Sequence, residues 1–252
     1  MLYENEHFEP LGNNVEIIVS DMYHFSTDTI LLADFANPKK SDCVVELGTG
    51  CGTMPMLWTR EHSLRELVAV DIQDKAVDMI KRSIEHNIEK GNTQVSCITP
   101  LCADLKELKG KCDFGHFNLV VCNPPYKLSG TGIVNPDNEK LLARHEESCT
   151  LDDICEAASH LLQFSGRFCI CQRPERLADV MESMRKFSIE PKRLRLVQQR
   201  KDKEPKLFLL EGRYKGNRGF MQVMPTLFIE DEKGDFSPEM KQIYGLYKEG
   251  RI

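Results

Sequence analysis

Short apolar runs at residues 43–47, 67–70, 95–98 and 117–122 each break into a polar or glycine-containing segment. Between them lie stretches of helical character, one over residues 75–89 with Asp74 read as its N-cap. Another opens at Thr150-Leu151-Asp152-Asp153, a capping-box pattern, and continues through Leu162. Strands alternating with helices predict a parallel sheet covered on both faces. Further on, residues 193–197 and 206–210 are strand-like and are separated by the polar segment 198–205, which predicts a long hairpin at the sheet edge. No internal repeat interrupts this order. The expected organisation is one domain over 1–252, with an N-terminal lid (1–40), a core (41–190) and a terminal hairpin with a basic tail (191–252).

In a doubly wound sheet, ligand groups gather at the carboxyl ends of the strands. Glu46, Asp71, Asp104 and Asn123 all fall at or just beyond such ends. After Glu46-Leu47 comes Gly48-Thr49-Gly50-Cys51-Gly52-Thr53, where glycines permit a tight turn and close approach of backbone to a ligand. The spacing is G-x-G-x-G, not the dinucleotide fingerprint, and the acid at 46 would repel a pyrophosphate. A ligand carrying a sulfonium and an α-amino group suits it better. Asp71 is spaced to accept two ribose hydroxyls, and Asp104 to accept an adenine amino hydrogen.

Asn123-Pro124-Pro125-Tyr126 directly follows the run 117–122. An exocyclic or amide nitrogen has its lone pair delocalised into a π-system and is a poor nucleophile. The Asn123 side-chain carbonyl and the Pro124 main-chain carbonyl can accept both of its N–H hydrogens, stabilising positive charge as a bond forms. Proline donates no backbone N–H, and Tyr126 offers a flat face for stacking. The same four residues also suit an ordinary strand-ending turn.

Taken together these segments resemble the class I S-adenosylmethionine-dependent methyltransferases that methylate amino nitrogens. More narrowly, the chain resembles the bacterial tRNA (adenine-N6)-methyltransferases that modify valine tRNA beside the anticodon. The resemblance is carried by Phe25-Ser26-Thr27-Asp28-Thr29-Ile30-Leu31-Leu32-Ala33-Asp34-Phe35, Glu46-Leu47-Gly48-Thr49-Gly50-Cys51-Gly52, Asn123-Pro124-Pro125-Tyr126 and Ala143-Arg144-His145-Glu146, and it covers nearly the whole chain. It implies a Rossmann-like α/β fold: a seven-stranded sheet, mostly parallel, with a C-terminal antiparallel hairpin and helices on both faces. It further implies that S-adenosyl-L-methionine is held by Phe25, Asp28, Glu46, Gly48, Gly50, Asp71, Asp104 and Asn123. Phe25 and Asp28 would lie over its methionine end. Asn123, Pro124 and Tyr126 would be catalytic, with an unstacked adenine lying on Tyr126.

Charge qualifies this picture. The net charge of −6 is unlike that of an RNA-binding protein, but residues 185–218 hold twelve Lys or Arg against four acids, a local +8 that leaves about −14 elsewhere. Such asymmetry places a basic patch on an acidic body. Arg200, Lys201 and Lys203 are expected to project from the hairpin loop, with Arg213, Lys215 and Arg218 forming a second phosphate clamp. Arg144, with His145, is a further candidate contact in the polar segment 127–149.

Ten cysteines sit mostly inside apolar runs, and no Cys-x-x-Cys pair occurs, so reduced core thiols are expected and no metal. Cytosine-C5 chemistry would need an attacking thiol, usually in a Pro-Cys step, and this chain has none. No apolar run approaches a membrane span, and the start Met1-Leu2-Tyr3-Glu4-Asn5-Glu6 is acidic, which predicts a cytoplasmic protein. Monomeric behaviour is expected. Three rivals to tRNA adenine methylation stand: a protein-glutamine N5-methyltransferase, an rRNA guanine-N2 methyltransferase, and a cofactor-binding RNA adaptor without catalysis. The glutamine enzymes carry a sizeable helical domain before the glycine motif, where only about forty residues precede it here.

Overall fold

The fold was analysed on a computed structural model that describes residues 1–60, 63–124 and 149–245. Strands β1 (Glu6–Gly12) and β2 (Val15–Ser20) form an antiparallel hairpin of their own. Asn13 and Asn14 turn it with φ of 49° and 59°, left-handed conformations that asparagine tolerates. Val15, Ile17, Ile18 and Val19 are buried.

The hairpin docks on helix α3 (Asp74–Glu89), where the Ser83 hydroxyl accepts from Ile18 N at 3.0 Å and Asn87 Oδ1 from Glu16 N at 3.0 Å. Helix α1 (Thr27–Ala36) follows, with Ile30, Leu31, Leu32, Ala33, Phe35 and Ala36 buried. Most of residues 1–40 thus lie in β1, β2 and α1, while residues 1–5 and the link at 21–26 lie largely on the surface.

The main sheet is built around β3 (Cys43–Leu47). Strands β4 (Glu66–Asp71) and β5 (Ile98–Cys102) extend it on one side, and β6 (Phe117–Cys122) and β7 (Leu162–Gln172) on the other, all parallel. Beyond β7 lies β9 (Pro205–Tyr214), antiparallel, and then β8 (Ile189–Gln198), antiparallel to β9. Two further pieces, β10 (Gln222–Val223) and β11 (Leu227–Phe228), pair in parallel with β8. Among the described residues the sheet thus has seven full strands and two added two-residue pieces, and the β8/β9 hairpin lies inside its edge. Pieces of two residues carry no periodicity from which to predict them.

Along the central strands, neighbouring residues enter opposite cores. Val44, Leu119 and Val121 face the layer of α1, α3 and α2 (Thr53–Trp58), whereas Val45, Val120 and Cys122 face α4 (Leu151–Leu161) and α5 (Leu177–Lys186). Burial on both sides explains why these strands read as unbroken apolar runs. At Gly212 on β9, an added Cβ would lie 2.3 Å from Met184 Cε of α5, so glycine sets the helix–sheet spacing.

Three expected boundaries shift. Residues 93–97 form a 3₁₀ turn and the strand begins at Ile98; Pro100 is tolerated there because β5 is an edge strand. Asp74 is the first residue of α3, not its cap: Gln73 occupies that position without a side-chain bond. The capping box is present, with Thr150 Oγ1 accepting from Asp153 N at 3.2 Å and Asp153 Oδ2 from Thr150 N at 2.7 Å, but the helix ends at Leu161 and β7 starts at Leu162. All ten cysteines are free thiols.

Candidate active site

The loop after β3 is shaped by three glycines with positive φ: Gly48 at 72°, Gly50 at 56° and Gly52 at 85°. Gly48 N and Thr49 N donate to Val70 O at 2.9 and 3.0 Å, fastening the loop to the end of β4. A Cβ at Gly48 or Gly50 would meet nothing within 4 Å, so these two present bare backbone to open space. At Gly52 the demand is doubled, because a Cβ would come 2.7 Å from Ile80 Cγ1.

Two buried carboxylates hold this loop. Asp71, 6% exposed, accepts from Gly50 N through Oδ2 at 2.8 Å and from Gln73 N through Oδ1 at 3.0 Å. Each carboxylate oxygen has a second lone pair, so the pair of ribose hydroxyls proposed from the sequence remains chemically compatible. Glu46, 2% exposed, accepts from Thr49 Oγ1 at 2.5 Å. Burial pushes its carboxyl well above the usual value; the Thr49 bond opposes that rise and the negative charge of Asp71 adds to it. A buried acid in this condition favours a cationic partner. An α-amino group supplies one, and the bare glycine backbone, two acids and backbone donors together suit a nucleoside with an amino-acid arm.

Asn123 sits just past β6, whose last residue Cys122 pairs with Leu47. Asn123 Nδ2 donates to Thr29 Oγ1 at 3.3 Å, linking this corner to the first turn of α1. That turn carries Asp28, half-buried, and follows Phe25, which packs against the α1–α3 core. Thr27 Oγ1 lies 2.9 Å from Tyr244 Oη at the end of α6 (Pro238–Tyr244). Burial raises the Tyr244 phenol, the Thr27 bond opposes this, and the charge of Asp28 adds to it. Pro124 is buried, whereas Tyr126, Arg144 and His145 fall outside the described residues. Cys122 is a core thiol that burial pushes well above its ordinary value, and such a thiol is not a nucleophile.

Asp104 follows β5, and its Oδ1 accepts from Lys106 N at 2.9 Å, capping a 3₁₀ turn. Ala103 N donates to Asp71 O at 2.9 Å, so this strand end is tied to that of β4. Three supporting residues were not anticipated as site residues. Thr49 and Thr29 hold Glu46 and Asn123, and Tyr23 Oη donates to Gln73 Oε1 at 2.8 Å beside Asp71. Burial, then the Asp71 charge, raises the Tyr23 phenol. Thr29 lies inside the Phe-Ser-Thr-Asp-Thr segment, which was a usable signal; nothing local marks Tyr23.

The basic residues divide between two edges. Cys122 is level with Ile170, and Ile170 with Leu210, so the turn from β8 to β9 rises above the edge that carries Asn123. Arg200, Lys201 and Lys203 are on that turn, with Arg200 and Lys203 each 3.6 Å from Asp202. Arg213 and Arg218 do not join them. They lie at and beyond the other end of β9, where Arg213 donates to Ser165 O at 3.0 Å. Much of the remaining basic stretch is structural: Arg193 reaches Glu211 at 2.8 Å, Arg195 reaches Glu239 at 2.6 Å and Arg185 reaches Glu190 at 2.9 Å.

A mixed, doubly wound sheet with this glycine loop and these strand-end acids defines a class I methyltransferase. Residues 23–184 match the Methyltransferase small domain, and the chain belongs to that family. Among curated proteins it is similar to tRNA1(Val) (adenine(37)-N6)-methyltransferases, with 26% identity to that of Porphyromonas gingivalis over 84% of each chain. Identity to the protein of the same name from Shewanella woodyi is 22%, over 88% of this chain and 91% of the relative. Among solved structures, a predicted O-methyltransferase from Agrobacterium tumefaciens superposes with a TM-score of 0.69 at 19% identity, over 88% of this chain and 97% of that one. A geranyl diphosphate methyltransferase in complex with SAM gives 0.52 at 11% identity, over 74% and 84%. The structural likenesses speak to the fold.

Proposed function

We propose that this protein transfers a methyl group from S-adenosyl-L-methionine to the N6 amino group of an adenine in tRNA. The observation that carries the reading is Asn123, set at the end of β6 beside the strand-end acids and tethered to α1 through Thr29. The names borne by relatives aligned over most of the chain support adenine as the base and tRNA as the carrier.

When bound, the cofactor supplies a methyl group on a positively charged sulfur. Asp71 receives the ribose hydroxyls, Asp104 the adenine amino hydrogen, and Gly48 and Gly50 allow close approach. Glu46 balances the α-amino charge, and Phe25 and Asp28 lie over the methionine end. Asn123 Oδ1 and the Pro124 carbonyl accept the two N–H hydrogens of the target adenine. This localises the nitrogen lone pair and stabilises the positive charge that develops there as the N–C bond forms and the S–C bond breaks, before an N–H proton is lost. Tyr126 is assigned the stacking face for the flipped base. Arg144, Arg200, Lys201 and Lys203 are assigned to the RNA backbone, with Arg213 and Arg218 serving a different part of it. Positioning and fixed dipoles carry the rate gain, without a metal or a covalent enzyme intermediate.

The chain is proposed to act as one domain and as a monomer in the cytoplasm. Among the described residues, no helix is long and apolar enough to cross a membrane.

The test is transfer of labelled methyl to total RNA, fractionated by size and followed by nucleoside mass spectrometry. N6-methyladenosine in the tRNA fraction is expected. Label in N2-methylguanosine or only in protein would replace this reading with one of its rivals.

A further inference from the structure

Residues 215–221 join β9 to β10 at the amino edge of the parallel strands, away from Asn123. The link is built into a defined shape. Lys192 Nζ donates to the carbonyls of Asn217 and Gly219, the latter at 2.6 Å. Glu190 Oε1 accepts from Gly219 N at 3.2 Å, and Lys215 N donates to Ser188 O at 2.7 Å. Lys215 and Phe220 take left-handed φ of 53° and 56°, conformations that disfavour bulky side chains. The outcome is a phenylalanine 97% exposed to water. Next to Ser165, which Arg213 holds through its carbonyl, Phe164 is 74% exposed.

The acids nearby are committed to internal partners. Glu190 holds Arg185 at 2.9 Å, while Glu211 is shared by Arg193, Arg167 and Arg213. Lys215 lies 5.0 Å over the Tyr214 ring, and both Lys215 and Arg218 are exposed. Cations interleaved with exposed flat rings match a polyanion whose bases are open to stacking. An acidic face on another protein would satisfy the cations but would leave two exposed phenylalanines unexplained.

We infer that Lys215, Arg218 and Phe220, with Tyr214, Arg213 and Phe164 beside them, form a second RNA-binding surface that engages nucleotides remote from the methylated base. The inference rests on the RNA reading given above. Lys215 lies five residues along the sheet from the level of Cys122 and two strands across, a separation of roughly 19 Å. It is therefore too distant to touch the reacting adenine, and its contribution belongs to binding and not to chemistry.

The experiment compares wild type, Lys215→Glu/Arg218→Glu, Phe220→Ala and the conservative Lys215→Arg/Arg218→Lys, using labelled tRNA. Direct binding is measured across a salt series, alongside KM, kcat and donor affinity. The charge reversal should raise KM and Kd for tRNA about tenfold or more and lower the slope of log K against log salt by about 1–2. Turnover at saturating tRNA and donor affinity should stay within twofold. Phe220→Ala should weaken binding with the salt slope unchanged, and the conservative pair should bind like wild type. Unchanged tRNA affinity and salt slope in both the reversal and Phe220→Ala would overturn the inference. Failure of the wild type to methylate RNA would instead overturn the function proposed above, and the direct-binding comparison would still decide this surface.

Discussion

The carboxyl edge of the sheet and the β8/β9 arm use charge in opposite ways. At the edge, Glu46 and Asp71 are buried with backbone N–H and hydroxyl partners. In and around the arm, Arg193 and Arg195 of β8, Arg167 of β7 and Arg185 of α5 are paired with carboxylates of the same chain. A carboxylate buried at a strand end is costly to fold and informative about function. A cation paired internally adds to the basic count but offers nothing outward. Strand-end position is therefore a sharper guide to a candidate site than the local sum of charge is to a candidate RNA surface.

This contrast can be broken at several points. On donor binding the largest effect is expected for Asp71→Ala, which removes a charged acceptor from Gly50 N and Gln73 N, each bond worth about 1.5–3 kcal/mol. Donor affinity by calorimetry should fall by about two orders of magnitude, and an unchanged Kd would remove Asp71 from the site. Gly52→Ala sharpens the structural side. A positive φ and a 2.7 Å approach to Ile80 should lower stability by about 2–3 kcal/mol in a denaturant titration.

On the arm, Arg200→Ala/Lys201→Ala/Lys203→Ala should raise the KM for tRNA several-fold with turnover at saturation nearly intact, and a loss confined to kcat would contradict a backbone-contact role. Smallest is Glu46→Gln in the donor-free protein. The folded Glu46 pKa lies above the unfolded value, so the folded state holds the extra proton and stability falls as pH rises from about 4.5 through the folded value. The Tm of Glu46→Gln relative to wild type should accordingly increase with pH over that window. A constant difference would mean that Glu46 is not strained by burial. Donor affinity should move the other way, weakening in Glu46→Gln.

What could be read in the sequence follows the same division. Runs buried on both faces announce themselves, and the polar residues that end them are legible; Glu46, Asp71 and Asn123 stand at or just past strand ends as the pattern predicts. Strand β7 was less visible because it follows α4 without an intervening break, so the helix seemed to continue to Leu162. The run at 95–98 misled because a 3₁₀ turn buries Val95 as a strand would. Tyr23, Thr29 and Thr49 escaped notice as site residues for different reasons. Thr49 acts three residues away, within the glycine loop, whereas the Thr29 bond to Asn123 spans 94 positions and the Tyr23 bond to Gln73 spans 50. The separation of Arg213 and Arg218 from the 200–203 turn depends on strand direction, which composition does not carry.

The central claim is that the corner at the end of β6 performs the chemistry while the acids at neighbouring strand ends hold the donor. Single-turnover transfer from labelled donor to tRNA by Asn123→Ala, with donor Kd measured on the same preparation, tests this most directly. Transfer should fall about 10²–10³-fold, as for loss of one group aligned to developing charge, with donor Kd within about twofold. Near-normal transfer, or a loss accounted for by weaker donor binding, would contradict the account.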